Sequence, residues 1–228
     1  IYGVDLDLRA CQLASFNLYL KARTRAEDEV AENFQMPEVG IVCSDSSISN
    51  LKEAEEVFEE VAGEEPKIEE TLEEILEEFQ EIDGLGSLLD VRRSLKKHFI
   101  DGGDQDQPDL FDFEDSNYAT LSSFINTLHD EIEEKHSNGK FLAQDLQSFL
   151  RLVKILSQNY DVSLMNPPYG SGERMPDNVQ NYIEKNYQYI PEYYINFFEV
   201  CDNLSKGNGR IGMLVPWSFM FNKSFEDF

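Results

Sequence analysis

Apolar residues recur along this chain in two rhythms. Short runs at Ile1-Tyr-Gly-Val4, Val39-Gly-Ile-Val-Cys43, Asp161-Val-Ser-Leu-Met165 and Arg210-Ile-Gly-Met-Leu-Val215 are strand-sized and end abruptly in polar residues or proline. Longer stretches carry apolar side chains three and four positions apart, which predicts helices. One covers residues 8–20, with Ala10, Leu13, Ala14, Asn17 and Leu18 at helical spacing. In the middle of the chain a helical face is marked by Ile68, Leu72, Ile75, Leu76, Phe79 and Ile82, after a break at Gly63-Glu-Glu-Pro66. Further amphipathic pieces follow at Leu88 to Phe99, Tyr118 to Leu128 and Leu142 to Val153, with a glycine- and aspartate-rich loop at residues 101–108. Two more helices are predicted at Asn178 to Asn186 and Pro191 to Leu204, the second stopped by Lys206-Gly-Asn-Gly209.

Strands alternate with helices at both ends of the chain, which is the pattern of an α/β protein with a parallel sheet. The middle breaks that pattern. A stretch from residue 48 to 157 holds only helical signals and is far longer than an ordinary α/β connection. Three parts follow: 1–47 and 158–228 as portions of one sheet, and 48–157 as a helical insertion.

The third run meets the sharpest break. Asn166-Pro167-Pro168-Tyr169-Gly170 cannot continue a strand or a helix, because each proline fixes φ and lacks an N–H donor. A stiff loop is expected there, at the carboxyl end of a strand, where open α/β sheets place their ligands. The first two runs end in acids, Asp5 and Asp45. A carboxylate at a strand tip can accept both hydroxyls of a ribose. Asp7, two residues after Asp5, is expected to be the N-cap of the helix that follows.

Composition narrows the picture. At 41% hydrophobic and 12% aromatic residues the chain has enough apolar side chains for a packed core. The formal net charge of −26 argues against an extended basic surface for nucleic acid. Fifteen acidic and two basic residues between Leu51 and Asp83 account for half of it, and a solvated helix face or adaptation to high salt would explain them. Cys11, Cys43 and Cys201 have no paired spacing and are expected to be small buried thiols in a reducing compartment. His98, His129 and His136 show no metal-ligand spacing, and no metal is expected. No signal peptide or membrane-length apolar run is present, so a cytoplasmic protein with no membrane partner is expected. The first residues already read as mid-strand and the last as the opening of a helix, which predicts a segment of a longer protein.

The residues also resemble a known family. Asn166-Pro167-Pro168-Tyr169 is similar to the (Asn/Asp/Ser)-Pro-Pro-(Tyr/Phe) signature of amino-methylating S-adenosylmethionine-dependent methyltransferases, in the form typical of enzymes acting on adenine N6 in DNA. The flanks at residues 1–18, Val42 to Asp45 and Gly209 to Pro216 resemble the second, third and fifth strands of that fold. Gly86-Ser-Leu-Leu89 and Trp217-Ser-Phe-Met-Phe221 add a likeness to the methyltransferases of phage-growth-limitation (BREX) systems and to type IIG restriction–modification enzymes. The resemblance implies a partial Rossmann-like methyltransferase fold with the long helical insertion between its third and fourth strands. It implies S-adenosylmethionine as cofactor, with Asp5 on the ribose and Asp45 by the cofactor's adenine. It makes Asn166, Pro167, Pro168 and Tyr169 the catalytic loop, and it implies double-stranded DNA as substrate, bound through a recognition domain outside this segment, with other defence-system proteins as further partners. One departure is clear: the glycine-rich first-strand motif that wraps the cofactor is absent, so the full enzyme is expected to begin upstream. A glutamine or RNA methyltransferase, or a catalytically silent scaffold segment, remain as alternatives.

Overall fold

In a computed structural model of the 228-residue chain the described residues are 1–26, 34–35, 39–44, 66–82, 85–99, 123, 125–127, 140–168, 176–188, 193–217 and 221. They fall into two compact units, Ile1–Ser157 and Gln158–Phe228.

The first unit begins with strand β1 (Tyr2–Asp5), helix α1 (Leu8–Ala26) and strand β2 (Gly40–Cys43). β1 and β2 pair in parallel, in register from Tyr2↔Gly40 to Asp5↔Cys43. A parallel pair needs a crossover, and α1 lies within it and packs on both strands. The contact uses only part of the face that residue spacing suggests. Cys11 is buried with Ala10, Ala14 and Leu18 half-buried, while Leu13 is 62% and Phe16 56% exposed. Small alanine and cysteine side chains let the helix lie close to the strands, and the Cys11 thiol reaches the carbonyl of Val42 at 3.5 Å.

The main core of this unit is helical. It is built by α2 (Pro66–Glu81), a 3₁₀ turn at Gly86–Leu88, α3 (Val91–Phe99) and α4 (Lys140–Ser157). Leu72, Ile75 and Leu76 of α2 and Leu146, Phe149 and Leu150 of α4 are all at most 1% exposed. The rings of Phe79 and Phe149 stack tilted, 5.5 Å apart. The acid-rich helix is not wholly given over to solvent. Glu74 accepts from Lys97 at 2.9 Å and Glu78 pairs with Arg93, so two of its carboxylates fasten α2 to α3. α4 also packs against β2, joining helices and strands into one unit. The break at residues 63–65 and the loop at 101–108 lie outside the described residues. Of the helix expected from Tyr118 to Leu128, residues 123 and 125–127 are described, with Ile125 buried.

The second unit holds strand β3 (Tyr160–Met165), helices α5 (Asp177–Asn186) and α6 (Tyr193–Asn203), and strand β4 (Ser205–Met213). β3 and β4 are parallel, and α6 covers one face of the pair with Tyr194, Ile195, Val200 and Cys201 buried. The other face leaves Val162 57% and Leu164 80% exposed. One boundary differs from the sequence expectation. The Lys206–Gly209 stretch, read as a helix stop, belongs to β4, and the expected strand end at Pro216 falls at Met213. A register irregularity between Tyr160 and Val162 makes room for these residues. Gly209 is required at that point, because a Cβ would stand 2.9 Å from the Lys206 carbonyl oxygen and 3.1 Å from that of Tyr160.

Candidate active-site residues

The alternation of β3 ends where the prolines begin. The last ladder bond beside it is donated by the Leu214 N–H to the Met165 carbonyl, at 3.1 Å. Directly after Met165 the side chain of Asn166 is exposed, Pro167 is buried and Pro168 is exposed. The buried ring anchors the turn while Asn166 stands at its outer side. With no N–H on residues 167 and 168, the backbone there presents only acceptors. Tyr169, the fourth residue of the sequence motif, lies outside the described residues.

Asp5 closes β1. Its main-chain carbonyl accepts from the Ser44 N–H at 2.9 Å and from the Ser44 hydroxyl at 3.4 Å, which ties the end of β1 to the end of β2. Its side chain is exposed, and Oδ1 accepts the N–H of Asp7 at 2.8 Å. That bond orients the carboxylate and, among the described residues, leaves it acceptor capacity for further donors. Asp7 has a different task. Its Oδ1 accepts the Arg9 N–H at 2.8 Å while its carbonyl accepts the Cys11 N–H, which makes it the N-cap of α1. The Arg9 side chain and then its N–H hold the Asp7 carboxyl below the usual range. The neighbouring acids thus divide into a cap and an oriented, open carboxylate.

Asp45 lies outside the described residues, although its neighbour Ser44 is 6% exposed and well fixed. Asp5 and the Asn166 loop belong to different compact units. Reasoning from sequence overlooked Ser44 and Gly86 as supports of the β1–β2 tip. Gly86 is buried with φ +52°, and a Cβ on it would meet Ser44 Oγ at 3.1 Å and Leu6 Cδ2 at 3.4 Å. The signal was the glycine of Gly86-Ser-Leu-Leu89 following the helix. Cys11, beside the same tip, is no nucleophile: burial pushes its thiol up first, and the nearby Cys43 and Asp5 push it further.

In chemical terms the first unit offers a carboxylate suited to a pair of hydroxyls. The second offers a rigid tip bearing an amide and proline carbonyls, suited to accept hydrogens from an amine.

Comparison with known proteins gives a consistent result. A profile of the family described as Eco57I restriction-modification methylase matches residues 1–228. The chain is 26% identical over 237 residues to the "Adenine-specific methyltransferase PglX" of Lacticaseibacillus casei (strain Zhang), covering 99% of this chain and 17% of that protein. It is 28% identical over 109 residues to the "Adenine-specific methyltransferase BrxX" of Escherichia coli O9:H4 (strain HS), covering 47% of this chain and 9% of that protein. The chain therefore spans less than a fifth of the length of these relatives.

Proposed function

The chain belongs to the Eco57I restriction-modification methylase family, and from that membership we propose that it is the methyl-acceptor half of an enzyme that transfers a methyl group from S-adenosylmethionine to the N6 amine of adenine in double-stranded DNA, in restriction–modification or phage defence. The observation that carries the reading is the β3 tip, where a buried Pro167 sets an exposed Asn166 at the carboxyl end of a parallel strand. In the same reading the two parallel pairs are portions of a Rossmann-like sheet, residues 48–157 are an insertion, and a recognition domain elsewhere in the longer protein grips the duplex. Other defence proteins are its natural partners.

The exocyclic amine of adenine is a poor nucleophile because its lone pair is delocalised into the ring. Asn166, through its side-chain carbonyl, and Pro167, through its backbone carbonyl, accept the two N6 hydrogens. This favours a more tetrahedral nitrogen with its lone pair directed at the methyl donor. Pro168 fixes the Pro167 carbonyl by removing a backbone degree of freedom. Tyr169 offers an aromatic face to the adenine once it has left the duplex stack. No side chain here acts as a strong base, so positioning and electrostatics are the main contributions.

The residues on the cofactor side fit in part. The oriented carboxylate of Asp5 suits ribose hydroxyls, and Asp45 would lie by the cofactor's adenine. The glycine-rich wrap for the methionine portion is not among these residues. When bound, S-adenosylmethionine supplies the electrophilic methyl group.

The test is Asn166→Ala in the full-length enzyme. Methylation should fall by at least about a hundredfold, the scale of removing one preorganised polar group, while calorimetric binding of S-adenosylmethionine stays close to wild type. Sequencing DNA from a host carrying the full-length gene reads the product as N6-methyladenine at a fixed motif. Wild-type turnover in the variant, or a methylome without that mark, would reject the assignment.

A further inference from the structure

Trp217 and Phe221 are 78% and 72% exposed, an unusual state for two large aromatic rings in a unit whose tyrosines 182, 187 and 194 are all buried. They brace each other edge to face, with centroids 5.5 Å apart and planes at 70°. Their place in the fold is specific. β3 and β4 run in parallel, and Met165 pairs with Met213, so both chains leave the sheet at the same edge. Leu214 is hydrogen-bonded to Met165, the residue before Asn166. Trp217 follows Leu214 by three residues, which keeps its backbone within roughly 11 Å of that bond at full extension. The backbone that carries the indole therefore leaves the sheet at the same end as the Asn166 tip.

Charge decides which contact this edge can make. Residues 158–228 carry nine acidic and five basic side chains, and the chain as a whole carries −26. Phosphate neutralisation is therefore not what this unit offers to a nucleic acid. A braced, solvent-facing indole offers stacking, which accepts any base and needs no cation.

Resting on the adenine-methylation reading above, we propose that Trp217, held by Phe221, is a nucleobase-stacking residue that receives an unstacked base of the DNA strand next to the Asn166 loop. It lowers the cost of keeping the strand open while the adenine is extruded. It is a binding residue and takes no part in methyl transfer.

The experiment uses the full-length enzyme with Trp217→Ala and Trp217→Phe. The probes are two fluorescein-labelled duplexes, one fully paired and one with a single mismatched adenine, whose base leaves the stack at low cost. Trp217→Ala should bind the mismatched duplex about ten- to a hundredfold more weakly, with a smaller change on the paired one. Trp217→Phe should recover most of the loss, and S-adenosylmethionine binding should be unchanged in both. Wild-type affinity of Trp217→Ala for the mismatched duplex overturns the proposal. So does an equal loss on both duplexes accompanied by a lower Tm and weaker cofactor binding, because the indole would then be a packing contact with another part of the polypeptide. The outcome does not depend on turnover: methylation by Asn166→Ala would reject the catalytic assignment, while mismatch binding still decides the role of Trp217.

Discussion

Asp5 and Asp7 stand two residues apart and do different work because of where β1 stops and α1 starts. Asp7 spends its carboxylate on the helix end, whereas Asp5 is steered by the Asp7 N–H and stays exposed. The cysteines separate in a similar way. Burial pushes the Cys201 thiol from its ordinary 9.0 up to about 11. At pH 8 about one molecule in a thousand then carries the thiolate, so iodoacetamide should label Cys43 first and leave Cys201 and Cys11 nearly untouched until the protein unfolds. Mass spectrometry of the alkylated peptides reads this order directly. The linkage has a definite sign. A raised folded-state pKa means that Cys201 contributes stability that is fully present below pH 9 and is lost as pH rises towards 11. The midpoint of urea unfolding should therefore fall over that interval, and less so in Cys201→Ala. At this scale the motif residues were readable from sequence because prolines and acids at strand ends announce themselves. Ser44 and Gly86 were not, since their value lies in contacts made across long stretches of chain.

Among the elements, β4 is where sequence reading and structure part. Lys206-Gly-Asn-Gly209 has the composition of a helix stop and the helix does end before it, at Asn203, yet the stretch is carried inside β4 as an irregularity between the Tyr160–Ser205 and Val162–Arg210 pairs. Two glycines of that strand should respond differently to substitution. Gly209→Ala sets a Cβ against two backbone carbonyls and should destabilise the protein by about 1–3 kcal/mol. Gly212→Ala meets the end of the Leu164 side chain at 2.7 Å, but Leu164 is 80% exposed and can rotate away, so the change should be close to neutral. Thermal unfolding of the two variants side by side tests the contrast. α1 teaches a related lesson. Helical spacing identified the element correctly and its buried face in part: Ala10, Ala14 and Leu18 face the strands, while Leu13 and Asn17 do not. By contrast α2, α4 and β3 were legible almost to their ends: the two helices each bury an apolar face, and β3 is cut off by the prolines although Val162 and Leu164 stay exposed.

At the scale of the whole molecule, acidity and candidate chemistry are unevenly shared. The segment from Leu51 to Asp83 alone carries fifteen acids, whereas the unit with the Asn166 loop carries nine against five bases. Part of that acidity is structural, as the Glu74–Lys97 and Glu78–Arg93 pairs show. The more exposed of them, Glu74–Lys97, contributes roughly 0.2–1 kcal/mol, so it tunes helix packing more than it determines the fold. On the proposed reading, cofactor affinity should be weak for these 228 residues by themselves, because Asp5 would meet only the ribose and the sequence holds no glycine-rich loop to enclose the rest. Calorimetry should detect no S-adenosylmethionine binding tighter than about millimolar, equivalent to roughly −4 kcal/mol; a micromolar constant would mean that the cofactor grip is complete without that loop. The Leu214-to-Met165 bond has a practical consequence of its own. It is the last rung beside the proline tip, so its amide proton exchanges with solvent only when the strand end separates from the Asn166 turn. Deuterium uptake at that one amide is accordingly a clock for how often the tip loosens, readable without ligand, substrate or turnover.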